Sequence, residues 1–271
     1  PAKRLVRLRP VGRLYAAEMA KVWRTRFPYL GMVASVLMAL IAKQSLEGMS
    51  RSGGITVANY LTASINMSAT LIVPIFATIF AAMLVASESG RGTLRTVLTR
   101  PVTRAEFLTA KLLMAETYLL LLMAANLVPA LLIARGYPLI SPGDEDVLIP
   151  GAAGQAGIIA TAILLTLLPL GATVCFGFCV SALSSNAATA IGVAVGLLLS
   201  IEPLKHFVGL EPWIVSSYYD TAMGIAAEKT DGIYASWAQA KVYWLLGVSG
   251  ITALLFTALG YWSFLRRDLT T

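Results

Sequence analysis

The chain has 271 residues, of which 57% are hydrophobic and 13% charged, with a formal net charge of +7 and a mean hydropathy of +0.75. A soluble domain carries about twice that charged fraction, so the composition excludes an ordinary soluble globular protein. The apolar residues lie in long blocks joined by short polar links, which is typical of a single membrane domain over residues 1–271.

The basic N-terminal region predicts an amphipathic helix over residues 10–26 that lies along the membrane surface. Its apolar side chains fall on one helical face, namely Leu14, Tyr15, Met19, Val22 and Trp23. The apolar run that follows has no small-x-small cleavage site at its end. We therefore expect a retained membrane helix there and not a signal peptide.

Six apolar segments predict six transmembrane helices in an all-α membrane protein. They are Phe27–Ala42, Ile65–Ala86, Leu112–Ala134, Gly157–Leu183, Ala188–Leu204 and Val242–Leu265. Each is near the roughly 20 residues that a helix needs to cross about 30 Å of hydrocarbon. Helices are expected because every backbone polar group in the membrane must be satisfied within its own segment.

The distribution of Lys and Arg predicts that both termini are cytoplasmic. With six spans, the N-terminal region, the segment 87–111 and the C-terminal tail share one side and hold fifteen of the 21 basic residues, against six on the other side. An excess of Lys and Arg marks the cytoplasmic side. The segment 87–111 is therefore predicted to face the cytosol.

The outer segment 205–241 is rich in aromatic residues, which favour the headgroup layer. One interpretation is a set of short interfacial or re-entrant helices that form an outer gate, with Trp213, Tyr218 and Tyr219 as candidate gate residues. The other is a loop that rests on the bilayer, and the sequence does not separate the two.

The segment 87–111 combines a turn, a short helix, a stop and a second helix. "GTLRTVLTRP" places Leu94 and Leu98 on one short apolar face, and Pro101 ends that helix. Thr103 and Glu106 match a capping box, which predicts a helix from Arg104 that reaches Ala134. At 1.5 Å per residue this helix is about 46 Å long, so its first turns are expected to project into the cytosol.

At this segment the sequence resembles the type-2 ABC exporter permeases. The motif E-x-x-x-G-T-L-x-x-x-L-x-x-P-V-x-R-x-x-F-L-x-x-K is carried by Glu88, Gly92, Thr93, Leu94, Leu98, Pro101, Val102, Arg104, Phe107, Leu108 and Lys111. The resemblance implies an exporter permease in the inner membrane of a prokaryote, paired with a second copy or a paralogue. It also implies docking of a cytoplasmic coupling helix on two ATP-binding subunits, which would hold ATP and Mg²⁺. The coupling residues would be Glu88, Gly92, Thr93, Leu94, Arg95, Leu98, Arg100, Pro101 and Arg104.

The chain itself has no G-x-x-x-x-G-K-[ST] phosphate loop, so ATP energy is expected to come from another polypeptide. No catalytic arrangement, cofactor site or nucleic-acid partner is predicted. Two alternatives remain for the function, an intramembrane enzyme and a passive channel, each acting without an ATPase. The alternative for 87–111 is an inert basic loop that holds anionic membrane lipids.

Several residues inside the spans are candidates for the translocation path. Glu116 is either a functional carboxylate or the partner of a cytosolic Lys or Arg. Glu202 either braces the outer segment or contacts cargo. Cys175 and Cys179, together with methionines, could bind a soft cation such as Cu(I), but their interpretation as apolar filler is favoured. His206 is the only histidine, and no metal site is predicted.

Overall fold

The computed structural model describes residues 2–49, 54–90, 103–140, 149–233 and 235–266, with the side chains from Val11 onward to Gly48 in the first range. The described chain is helical and contains no strand. Its helices are α1 (Ala2–Val22), α2 (Phe27–Met49), α3 (Val57–Met67), α4 (Val73–Gly90), α5 (Arg104–Ala134), α6 (Ala152–Leu183), α7 (Ala187–Val208), α8 (Thr221–Thr230) and α9 (Ala240–Arg266).

The prediction of an all-α protein with six spans is confirmed. Six helical segments in the described residues are long and apolar enough to cross a membrane, and each matches a predicted span. The second is longer than predicted, since it runs over Val57–Gly90. Inside it, the π-helical turn Ser68–Ile72 joins α3 to α4.

The N-terminal helix differs in extent from the prediction over residues 10–26. It begins at Ala2 and ends at Val22, and a turn separates it from α2. Part of its apolar face packs on the protein: Val22 is buried, and the Tyr15 hydroxyl lies 2.9 Å from the Thr117 hydroxyl on α5. Its location at a membrane surface stays a prediction.

Helices α4, α5 and α6 carry most of the core. α4 and α6 approach closely at Gly177, where a Cβ atom would lie 2.9 Å from the carbonyl oxygen of Thr78. Small residues permit such close approach between membrane helices. Helices α2, α3 and α5 meet at buried Asn126, which donates to the carbonyl of Ser35 (3.1 Å) and accepts from the hydroxyl of Ser64 (3.3 Å).

Short helices are present in the predicted outer segment. Two 3₁₀ turns, Glu211–Trp213 and Val215–Tyr218, precede α8. The helix α7 ends at Gly209, whose φ of 69° gives the left-handed conformation that favours glycine at a helix C-terminus. The chain thus turns back over the end of the bundle opposite α1, but its position relative to a membrane surface stays a prediction.

Candidate functional site

The start of α5 has the predicted capping box. The Thr103 hydroxyl accepts from the amide of Glu106 (3.2 Å), and the Thr103 amide donates to the Glu106 carboxylate (2.8 Å). The capping box thus gives a hydrogen-bond partner to two backbone N–H groups, those of Thr103 and Glu106, that have none within the helix. The helix then runs unbroken to Ala134, as predicted from the sequence.

A buried ion cluster lies at the end of α4 and the start of α5, the two helices that the segment 91–102 connects. Lys111 on α5 is 1% exposed, and its Nζ lies 2.8 Å from Glu88 Oε1 and 3.1 Å from Glu18 Oε2. Lys21 Nζ lies 2.7 Å from the same Glu88 oxygen. These four residues, Glu18, Lys21, Glu88 and Lys111, lie at one end, or base, of the helical bundle, and we call them the base cluster.

The base cluster balances two carboxylates against two ammonium groups. Buried charges are tolerated when they are paired and hydrogen-bonded, and removal of one partner leaves an uncompensated charge. Lys111 also lies 5.1 Å from the centre of the Phe107 ring, an attractive cation–π geometry. The cluster therefore joins the end of α4, the start of α5 and the helix α1.

The start of α5 is also joined to the end of α9. The Arg104 guanidinium donates to the carbonyl of Leu265 (3.2 Å), and the hydroxyls of Thr109 and Tyr261 lie 2.8 Å apart. Phe107 stacks on Phe264 with ring centres 5.9 Å apart. Any movement of the α5 start would thus be passed to α9 as well as to α1 and α4.

The structure brings Glu88 and Arg104, two of the predicted coupling residues, to this end of the bundle. The others lie outside the described residues, so their docking role stays a prediction: Gly92, Thr93, Leu94, Arg95, Leu98, Arg100 and Pro101. Sequence reasoning missed Glu18 and Lys21, and it placed Lys111 in the motif without a role. Glu18 could have been singled out from the sequence, because it is the only acidic residue among the first 26.

Glu116 on α5 faces α6 and forms no ion pair with another described residue. Its Oε1 lies 3.8 Å from the thiol of Cys175, and a Cβ atom on Gly171 would approach its Oε2 to 3.3 Å. Its role in a translocation path stays a prediction. Pairing with a cytosolic Lys or Arg, the alternative role predicted for Glu116, also stays a prediction.

Cys175 and Cys179 are free, buried thiols. Within the described ranges, no group of three or more His, Cys, Asp or Glu side chains is placed to hold a metal ion.

Glu202 forms an ion pair within the outer end of α7. Its Oε2 lies 2.8 Å from Nζ of Lys205, which is buried and also donates to the hydroxyl of Ser216 (3.2 Å). The contact between Lys205 and Ser216 joins the 3₁₀ turn Val215–Tyr218 to α7, and Glu202 pairs with the same lysine. The predicted roles of Glu202, as a brace for the outer segment or as a contact for cargo, stay predictions.

The three aromatic gate candidates have different surroundings. Trp213 is 66% exposed and contacts Trp244 edge-on. Tyr218 donates to the carbonyl of Pro212 (2.6 Å), and the buried Tyr219 hydroxyl lies 2.6 Å from the Thr173 hydroxyl on α6. Burial raises the pKa of the Tyr219 hydroxyl above its usual value near 10. The two tyrosines hold the segment in place, and their gate role stays a prediction.

Comparison with known proteins gives one family. The profile of a family described as "ABC-2 family transporter protein" matches residues 14–202, well over half of the chain. The match includes the whole base cluster and Glu116. No curated protein matches the chain.

Proposed function

Because the chain belongs to the ABC-2 family of transporter proteins, we propose that it is the permease subunit of an ATP-driven exporter, coupled to separate ATP-binding subunits. It is a multi-pass membrane protein with six apolar helices. The observation that supports coupling is the base cluster, because it joins α4 and α5, the two helices that flank the segment 91–102 in the chain, to each other and to α1.

The coupling mechanism follows from this connection. A push on the segment 91–102 reaches α4 through Glu88 and α5 through Lys111, and the Glu88–Lys111 pair makes the two helices move as a unit. Lys21 and Glu18 bring α1 into the same unit. The 31-residue helix α5, about 46 Å long, then carries the displacement across the membrane.

The proposed assembly has two permease chains, identical or paralogous, and two ATP-binding subunits that hold ATP and Mg²⁺. Exposed apolar side chains recur on one face of α2 at Leu30, Val33, Leu37 and Leu40, a surface suited to lipid and to a second permease chain. Cargo would pass between the two chains. The Lys and Arg distribution supports insertion with both termini in the cytosol, and the resemblance to type-2 ABC exporter permeases is the ground for placing the chain in a prokaryotic inner membrane.

Purification of the tagged chain from its native membrane tests the proposal. ATP-binding subunits are expected to co-purify, and the reconstituted complex should hydrolyse ATP. The variant Glu88→Ala is expected to be less stable because Lys111 loses a partner, but below its lowered Tm it should insert and assemble and lose most of its coupled ATPase activity. The matched control Glu228→Ala changes an exposed carboxylate on α8, far from the base cluster, and should behave as the wild type.

Two results would contradict the proposal. The first is passive conductance, or turnover of a substrate, by the purified chain in liposomes without any ATP-binding subunit. The second is full ATPase coupling in the Glu88→Ala complex.

A further inference from the structure

A polar cavity of about 340 Å³ lies between the outer end of α7, the turns before α8 and the π-helical turn Ser68–Ile72. Its lining is almost entirely polar and comprises Thr70, Glu202, Lys205, His206, Glu211, Ser216, Ser217, Tyr219 and Asp220. π-Helical turns within α-helices occur frequently at functional sites. Thr70, from that turn, contributes to the wall.

The side chains that line the polar cavity carry a net negative charge. Three carboxylates line it, those of Glu202, Glu211 and Asp220, against one lysine and one histidine. The lysine, Lys205, is already engaged by Glu202 and Ser216, and His206 is engaged by Glu211.

An apolar cavity of about 420 Å³ adjoins the polar one. It lies between α6, α7 and α9 and shares Ser216 and Tyr219 with the polar cavity. Its other walls are mainly apolar and include Phe176, Leu198, Trp213, Leu255 and Phe256. The two cavities are therefore neighbours, and we call the pair the groove, with an apolar part along the spans and an acidic part at their end.

We propose that this groove binds a small amphiphile that carries a protonated amine or a quaternary ammonium group. The apolar part of the ligand lies between α6, α7 and α9, and its cationic headgroup lies against Glu202, Glu211 and Asp220.

Volume and charge together select this ligand class. Each cavity lies within the roughly 300–1,000 Å³ typical of small-molecule sites, which fits one apolar chain or ring system and one headgroup. The lining has three carboxylates against one lysine, so an excess of negative charge remains after Glu202 pairs with Lys205, and a cation is attracted whereas an anion is repelled. An uncharged apolar molecule would leave the acidic part unused.

As a cargo site, the groove rests on the proposed transport function, but binding itself is a property of this chain alone. The test therefore uses the purified full-length chain in phosphatidylcholine nanodiscs without ATP-binding subunits. A negative result in this binding test would not affect the conclusions from co-purification and ATPase activity. Negative results in those two experiments would likewise not affect the conclusion from binding.

The probe is an alkyl-trimethylammonium with bromine on its chain, which quenches tryptophan fluorescence on contact. Trp213 lines the apolar cavity, so the wild type should show a saturable component of quenching that is lost in Trp213→Phe, while the other four tryptophans report only partition into the bilayer. An alkyl sulfate with the same brominated chain is expected to bind at least about tenfold more weakly because of the carboxylates.

Three variants locate the site. The double variant Glu202→Gln/Glu211→Gln should weaken binding of the ammonium probe about tenfold or more, whereas the control Glu228→Gln should leave it unchanged. Thr252→Phe, which fills the apolar cavity from α9, should weaken binding of the probe while the acidic part remains intact. Thermal unfolding of each variant confirms that it is folded.

Equal quenching by the ammonium and sulfate probes would overturn the proposal, since it would mean partition into the bilayer only. So would unchanged affinity in the double variant, or a saturable component of quenching that survives Trp213→Phe.

Discussion

Replacement of Lys111 by methionine removes the central cation of the base cluster while keeping the length of the side chain. Lys111 is 1% exposed and lies within 3.1 Å of two carboxylates, which are only 7% (Glu88) and 15% (Glu18) exposed. Breaking a buried ion pair by removal of one partner costs about 3–5 kcal/mol. For a chain of this size, about 2–4 °C of Tm per kcal/mol gives a drop of roughly 6–20 °C.

Thermal unfolding in detergent micelles measures this drop, and Lys21→Met is the matched control. Lys21 contacts the same Glu88 oxygen at 2.7 Å, but its side chain is 46% exposed, so its loss should cost under about 1 kcal/mol. The double variant Glu88→Gln/Lys111→Met should lose less than the sum of its single variants, because the uncompensated charge is gone. Equal effects of Lys111→Met and Lys21→Met would refute the assignment of Lys111 as the buried centre of the cluster.

Three further predictions concern packing and burial and use the same unfolding assay. Gly177→Ala should cost about 1–3 kcal/mol because its Cβ atom would meet Thr78, while Gly192→Ala, with open space around it, should be neutral or slightly stabilising. Asn126→Leu should cost about 1–3 kcal/mol because it removes the hydrogen bonds that join α2, α3 and α5. Tyr219 keeps its proton in the folded chain at a pH where the unfolded phenol ionises, so stability should fall above about pH 10, and less so in Tyr219→Phe.

Each of these has a contrary result. Equal stability of the two glycine variants would contradict the close approach of α4 and α6. An unchanged Tm in Asn126→Leu would contradict the buried polar contact, and an identical alkaline slope in Tyr219→Phe would contradict the burial of that hydroxyl.

The spans and the start of α5 could be predicted from the sequence because their causes are local. Burial in lipid requires long apolar helices, and hydropathy reports this directly. The start of α5 depends on Thr103 and Glu106, three residues apart, so the capping box was visible as a sequence pattern. The extent of α1 was less predictable, since basic residues before Pro10 carry no apolar periodicity.

The base cluster could not be predicted because it depends on contacts between distant parts of the chain. Glu18 lies 93 positions before Lys111, and nothing in either local pattern identifies the other as its partner. The same holds for Glu116 and Cys175, which face each other across α5 and α6. The contact between the hydroxyls of Tyr219 and Thr173 is of the same kind, since it joins α6 to a residue 46 positions later in the chain.

Cross-linking from the segment 91–102 tests the central claim most directly. A photoreactive amino acid in place of Arg95, in the chain assembled in its native membrane, should form a cross-link to an ATP-binding subunit. The same amino acid in place of Glu228, at the opposite end of the bundle, should not. Cross-links from position 95 to lipid alone would contradict ATP-driven coupling through this segment.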